Sequence, residues 1–459
     1  MDISTTLKKL EKPATVTFQS TQQLARQVRH RAKKLDEDRA EREQPPHERK
    51  LHLTPVLERE NRHGMSVAPW EVLQALGRAT ALAGHGSSRA LAQHWNCLRY
   101  ITALQANYQG RLELSEDGKD PRYHRKSVQA QDLGIAFGLV AAQRIMQQRH
   151  PDYRFDPIDA DVVLEAGWAL RGSGNVAREN TKIRPNYFLV GQKPGAPLRI
   201  ASIDCKGSHG RPEAQHDQLA RSAAHVRTVV IGEIDEGGGS PPSLLMATGL
   251  AAKGGIEVRL LDPDGDGLLP IPGKPFPDLT EPAGQLNLLP LVSFTTADGG
   301  RATRPGFSVP AGHSEWFSRV LARTTAAALL TFAGDRSAAH NLLTTRQRYR
   351  LGSAHSHASS GMLCDTGINL AGRKFVGTDH VFRLDGRRME VFSGIAEPMY
   401  RLLVDQKLDD HEAALPAVLK DWEQRKTAAE KDWGGVVHLD PAGALFAIRP
   451  QGAGRQELL

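Results

Sequence analysis

The chain predicts a mixed α/β fold in its middle third, a sheet flanked by helices, with a helical region before it and a mixed α+β region after it. Three observations carry that prediction. Between residues 121 and 268 the hydrophobic period switches in the order helix, strands, helix, strands. The first 120 residues are charge-dense and read at helical spacing, while 269–292 is rich in proline and reads as a linker. From 293 to 459, helix patterns alternate with a hairpin signal and a closing strand.

In order, "QLARQVRHRAKKLDEDRAEREQPPHERK" places Arg26, Arg29, Lys33 and Lys34 at helical spacing before Pro45-Pro46 stop the helix. It reads as a solvated helix with internal ion pairs, or as a basic arm for phosphates. "APWEVLQALGRATALAG" and "SSRALAQHWNCLRYITALQANYQG" are amphipathic helix patterns, the second entered through Ser87-Ser88. "SVQAQDLGIAFGLVAAQRIMQQRHP" is a long helix, followed by strand candidates in "DADVVLEAGWALRG", "RPNYFLVG" and "LRIASIDCKGS". Pro212 opens the next helix, "PEAQHDQLARSAAHVRT", and "VVIGEID", "SLLMATGLA" and "IEVRLLDP" return to strands. Near the carboxyl end, "SEWFSRVLARTTAAALLTFAG" is a helix and "FRLDGRRMEVFSG" a hairpin on Asp385-Gly386. "HEAALPAVLKDWEQRKTAAEKDW" and "GALFAIRP" give a last helix and strand.

Composition narrows the classes. A chain of 459 residues that is 40% hydrophobic and 24% charged is globular rather than disordered. No apolar run reaches the length of a membrane span. Three dispersed cysteines form no disulfide framework and no paired zinc knuckle. Together with the lack of a signal-peptide pattern, they point to a cytoplasmic protein. The net charge of +7 favours a polyanionic partner.

The stretch that points to chemistry is "RIASIDCKGSHG". Residues two apart share a strand face, so Ile200, Ser202, Asp204 and Lys206 point one way and Ala201, Ile203 and Cys205 the other. A strand that runs into a core and ends on an acid and an amine side by side needs a reason. Either the two form a structural salt bridge, or they act together on a ligand.

These surroundings resemble the PD-(D/E)XK nuclease superfamily, the restriction-endonuclease-like fold, over roughly residues 125–265. Asp132 lies on the preceding helix, Pro185-Asn186 opens the next strand, Asp204-Cys205-Lys206 follows, and then comes the Gln215/Gln218 helix. The resemblance implies a Mg²⁺- or Mn²⁺-dependent nuclease acting on DNA, with RNA open, in restriction, anti-phage defence or DNA processing. It implies Asp204 as a metal ligand and Lys206 as the group that readies water. Asn186 stands at the position of the principal metal-binding aspartate. Asp132 and Glu165 are further candidate ligands, Glu165 as the substitute acid with Asp159 and Asp161 as alternatives. Gln215, Gln218, Arg221 and His216 would meet backbone phosphates. Because Asn186 replaces an aspartate, the resemblance has as its alternative a degenerate nuclease-fold module that binds DNA or protein, with the active reading slightly ahead because Asp204 and Lys206 are both present. A partner protein that supplies target recognition fits either reading.

Other motifs are weaker. "DPDGDG" has the spacing that opens a calcium loop at Asp262, Asp264 and Asp266, but Gly273 stands where the bidentate glutamate belongs. His355, His357, Cys364 and Asp365 match no strong zinc spacing. Asp379, His380 and Glu390 near the hairpin suggest a second centre without a motif to support it.

Overall fold

A computed structural model describes residues 3–50, 52–57, 64–82, 94–120, 123–168, 170, 183–232, 239–250, 254–263, 269–270, 286–295, 300–351 and 364–451. Nine strands form the central sheet: β1 (Ala14–Gln19), β2 (Leu53–Thr54), β3 (Met65–Val67), β4 (Arg154–Asp159), β5 (Tyr187–Gln192), β6 (Arg199–Ser208), β7 (Ser243–Gly249), β8 (Glu257–Pro263) and β9 (Leu269–Pro270). The path runs β3-β1-β8-β7-β6-β5-β4, with β9 on β6 and β2 on β8. β4, β5 and β6 are successive antiparallel neighbours, whereas β6 and β7 are parallel. Parallel strands need a crossover, and helix Pro212–Arg227 supplies it.

Among the described residues six long helices frame the sheets: α1 (Gln22–Ala40), α2 (Pro69–Ala81), α3 (Tyr123–Arg149), α4 (Pro212–Arg227), α5 (Ser314–Phe332) and α6 (Leu408–Trp433). α3 covers one face of β6, where the main core lies. A Cβ added at Gly138 would sit 2.5 Å from the Cys205 sulfur. α4 covers the other face. There Leu219, Ala220, Ala223 and Val226 close a second apolar seam with Leu245, Ala247 and Leu261 of the sheet and Leu24, Ala25 and Val28 of α1.

Two expectations are corrected. The amino-terminal region is not purely helical: β1, β2 and β3 belong to the central sheet, and Leu104–Ala106 pairs with Leu112–Leu114 where a helix was expected. "ATVTFQ" alternates, burying Ala14, Val16 and Phe18, and this period of two outweighs the charged helical context around it. The strand expected in "DADVVLEAGWALRG" lies earlier, at β4. Ala160–Leu164 is a short helix because Asp159 caps it, its Oδ1 accepting from Val162 N at 3.0 Å.

The carboxy-terminal sheet holds β10 (Thr366–Leu370), β11 (Arg373–Leu384), β12 (Arg387–Ala396), β13 (Val436–Leu439) and β14 (Ala444–Pro450) in the order β10-β11-β12-β14-β13. Asp385 and Gly386 both take positive φ, 48° and 80°, as a two-residue hairpin turn of this hand requires. α2 ties this sheet to the rest. Trp70 stacks on Phe446 with ring centroids 4.4 Å apart and donates from Nε1 to the Phe446 carbonyl at 2.9 Å. Among the described residues, no helix is long and apolar enough to cross a membrane.

Candidate functional site

The faces expected from the period of two are the faces observed. Asp204 and Lys206 project from β6 toward α4, and Asn186, just before β5, projects beside them. The register places Tyr187 opposite Ile203, which sets Asn186 opposite Asp204. Asn186 Oδ1 accepts from Cys205 N at 3.0 Å and from Lys206 Nζ at 3.4 Å. Lys206 Nζ also lies 3.4 Å from Asp204 Oδ1. The three residues therefore meet at one point.

Asp204 is fully buried. His225 on α4 brings Nδ1 to 3.3 Å from Asp204 Oδ2, and Ser222, one helical turn earlier, faces the same carboxylate. Among the described residues neither carboxylate oxygen has a hydrogen bond of good geometry: Lys206 and His225 stand at ion-pair distance, and the Ser222 hydroxyl is a weak donor beside them. Burial pushes the Asp204 carboxyl up. Lys206, then His225 and Ser222, outweigh burial and hold it below its ordinary value. A charge kept in place at 0% exposure without a directed bond is costly unless something else uses it.

Both partners of Asp204 lead outward. Lys206 keeps 26% of its side chain exposed and His225 keeps 23%. His225 also lines a cleft of about 300 Å³ together with Arg39, Arg42, Arg49, Arg221 and Ile183. This cleft lies between α4, the end of α1 and the segment that follows it. The amino-terminal arm is fastened there by the Arg31–Asp217 ion pair and by Arg49 Nε donating to Ala220 O at 3.1 Å. Lys50 N donates to Ala223 O at 3.1 Å.

The other expected site residues go elsewhere. Asp132 sits on α3, across the sheet from Asp204's face. It accepts from Tyr100 Oη at 2.8 Å and Asn96 Nδ2 at 3.2 Å, with Arg99 3.7 Å away. Glu165 closes the helix Ala160–Leu164 and is buried, while Asp161 is paired with Arg184. Gln215 is buried and bonded to Arg259, and Gln218 Nε2 donates to Gly207 O at 2.8 Å. His216 is buried. Of the residues expected to meet phosphates, Arg221 is the exposed one that lines the cleft.

A Mg²⁺ ion asks for several hard oxygen ligands in octahedral array. The cluster offers one carboxylate flanked by an amine and an imidazole, and Asn186 Oδ1 is already engaged twice. Among the described residues, no three His, Cys, Asp or Glu side chains group as a metal site. These donors do not fit such an ion by themselves.

The remaining motifs settle into structural contacts or lie outside the described residues. Asp262 pairs with Arg149 at 2.7 Å, while Asp264 and Asp266 lie outside, as do His355 and His357. Asp379 accepts from Thr366 Oγ1 at 2.8 Å, Glu390 pairs with Arg449 at 2.9 Å, and His380 stacks on Trp95.

Sequence reasoning missed His225 and Arg49. His225 carried a readable signal: Ser222 and His225 are polar residues three apart on the helix face that otherwise buries Leu219 and Val226. Arg49 carried none, since it follows a proline pair outside any periodic element. Comparison with family models, with curated proteins and with solved structures finds no match to this chain.

Proposed function

We propose that this chain is a nuclease-fold protein that grips the phosphodiester backbone of nucleic acid, DNA first, along the cleft that ends at His225. The observation that carries the reading is the double position of His225, in contact with buried Asp204 and in the wall of an arginine-lined cleft. Guanidinium groups bind phosphate oxygens in bidentate fashion, and the partly exposed Lys206, on the other oxygen of Asp204 from His225, adds a point charge. The reading of the fold is supported by the succession α3, β4, β5, β6, α4 and β7, interrupted by the short helix Ala160–Leu164 and by the strand Val229–Ile231, which pairs outside the central sheet. The nearness of Asn186, Asp204 and Lys206 agrees with the motif that the resemblance to the PD-(D/E)XK superfamily implies.

A second reading, hydrolysis of the bound phosphodiester with Mg²⁺ or Mn²⁺, is favoured by the convergence of Asn186, Asp204 and Lys206. The donor set favours binding as the primary role. The test is fluorescence anisotropy with duplex and single-stranded DNA and with RNA across a salt series, beside plasmid cleavage with each metal. Binding that weakens steeply with salt and drops in Arg221→Ala is the expected result. No binding to any nucleic acid at low salt sinks the proposal. Metal-dependent cleavage abolished by both Asp204→Ala and Lys206→Ala, with folding intact, promotes the second reading to first.

A further inference from the structure

The cleft beside His225 has a charge and shape suited to a more particular guest than an unbroken backbone. Among the described residues its lining carries Arg39, Arg42, Arg49 and Arg221, with Asp38 as the acid. Asp36 sits behind, paired with Arg49. Four guanidiniums less those two carboxylates leave a formal surplus of two positive charges among the described residues, with the histidines left out of the count.

The hollow is also built rather than casual. Arg49 has only 6% of its side chain exposed. Its Nε is held by Ala220 O at 3.1 Å, and its Nη1 by Asp36 and by His47 O at 3.2 Å. Arg49 is thus a guanidinium fixed in place by backbone and carboxylate partners, and its charge is held at the wall of the cleft it lines. Arg39 is braced by donating from Nε to Pro45 O at 2.8 Å, while Arg42 and Arg221 are exposed above it. Burial first, then Arg39 and Arg49, push the His47 imidazole down against the pull of Asp36, so these groups face one another across the hollow.

Resting on the reading that nucleic acid is the partner, we propose that this hollow binds a phosphomonoester, the terminal phosphate of a nucleic-acid strand. An internal phosphodiester carries one negative charge, whereas a phosphomonoester carries about two near neutral pH, which matches the surplus of the cleft. A volume of about 300 Å³ lies at the small end of ligand sites and admits one nucleotide rather than a run of them. The arginine forks supply the several parallel N–H donors that three terminal oxygens can accept. The end of a strand would then sit against His225, with its first linkages toward Lys206.

The same chemistry occurs on a free mononucleotide, so the experiment separates the sources. Oligonucleotides of one sequence, bearing a 5′-phosphate, a 3′-phosphate or hydroxyls at both ends, are titrated into the full chain by anisotropy. A deoxynucleoside monophosphate serves as competitor. One phosphorylated end is expected to bind about tenfold tighter than the hydroxyl form. Arg42→Ala and Arg221→Ala, both at exposed positions, are expected to erase that difference while leaving the melting temperature unchanged. Equal affinity for phosphorylated and hydroxyl ends, with binding itself intact, overturns the terminal-phosphate assignment and leaves the cleft as a backbone groove. Displacement of the strand by the mononucleotide at its own micromolar affinity overturns the strand end as the source. Failure of every oligonucleotide to bind overturns the broader nucleic-acid reading instead.

Discussion

Two buried carboxylates in this molecule are treated in opposite ways. Glu412, on α6, is gripped by the fork of Arg154, whose Nη2 meets Oε1 and whose Nε lies 3.3 Å from Oε2, with His411 Nδ1 a further 3.3 Å contact. Arg154 also donates to Gln192 and pairs with Asp156, and Arg78 bridges Asp156 to Asp440. Asp204, on β6, has instead an ammonium and an imidazole at ion-pair distance and no aligned bond. The first arrangement is a rigid planar fork matched to a carboxylate, although Asp156 in the same chain of ion pairs has no aligned bond to either oxygen among the described residues. The second lacks a fork, and it leads through His225 to the cleft and through partly exposed Lys206 to the surface. What separates Glu412 from Asp204 is thus the directed fork on the one and the outlet from the other.

The largest break in this comparison is expected from Arg154→Met, which leaves Glu412 and Asp156 buried without their guanidinium. A loss of about 3–5 kcal/mol should appear as a lower urea midpoint at unchanged slope. Nucleic-acid affinity of the folded protein should not move. Acid attacks the same bond. Burial raises the Glu412 carboxyl, but Arg154 and His411 more than offset this and hold it at about 2. A folded value below the unfolded one gives stability that is fully present above the ordinary carboxylate range and is lost as pH falls toward about 2. Glu412→Gln should therefore flatten the acid limb of the stability curve, and an unchanged limb would show that the fork is not what acid releases.

Gly207→Ala comes next. Its Cβ would meet the Ala130 carbonyl at 1.9 Å, and an overpacked contact of this kind costs about 1–3 kcal/mol. Because the clash lies next to Lys206, binding should weaken together with stability, unlike Arg154→Met. The smallest stability effect is expected from Asp204→Asn, a loss of about 1 kcal/mol, since the ion pairs it gives up are to the partly exposed Lys206 and His225. Its effect should fall instead on nucleic-acid binding or cleavage. A thermal-shift loss as large as that of Arg154→Met would make Asp204 a structural salt bridge and end the comparison.

Much of the central architecture was readable because its periods are clean. The period of two in "RIASIDCK" set Asp204 and Lys206 on one face, and Pro212 marked the first turn of α4. What escaped did so for physical reasons. "ATVTFQ" is short and lies between charged helices, so its alternation was lost in helical context, and "LQA" and "LEL" are too brief to show any period. Asp132 and Glu165 fit a ligand pattern by order along the chain, yet chain order does not say which side of a sheet a helix covers. α3 lies on the Cys205 side. The arginine cleft depends on the fold-back of residues 41–50 over α4, a placement fixed by single polar bonds such as Arg49 to Ala220 O. No periodic signal encodes such a bond.

At Gly134 and Gly207, where α3 meets the end of β6, neither partner carries a side chain. A Cβ at Gly134 would lie 2.4 Å from Gly207 N, so bare main chain rests on bare main chain just past Lys206. Such a joint has no rotamers to give way and passes displacement on rather than absorbing it. α3 has 27 residues and is thus a rod of about 40 Å. Its far half is pinned by Arg144 to Glu71 and by Arg149 to Asp262. A pull on Lys206 is therefore a load on the rod, shared with α2 and the distal strand β8 before any loop has moved.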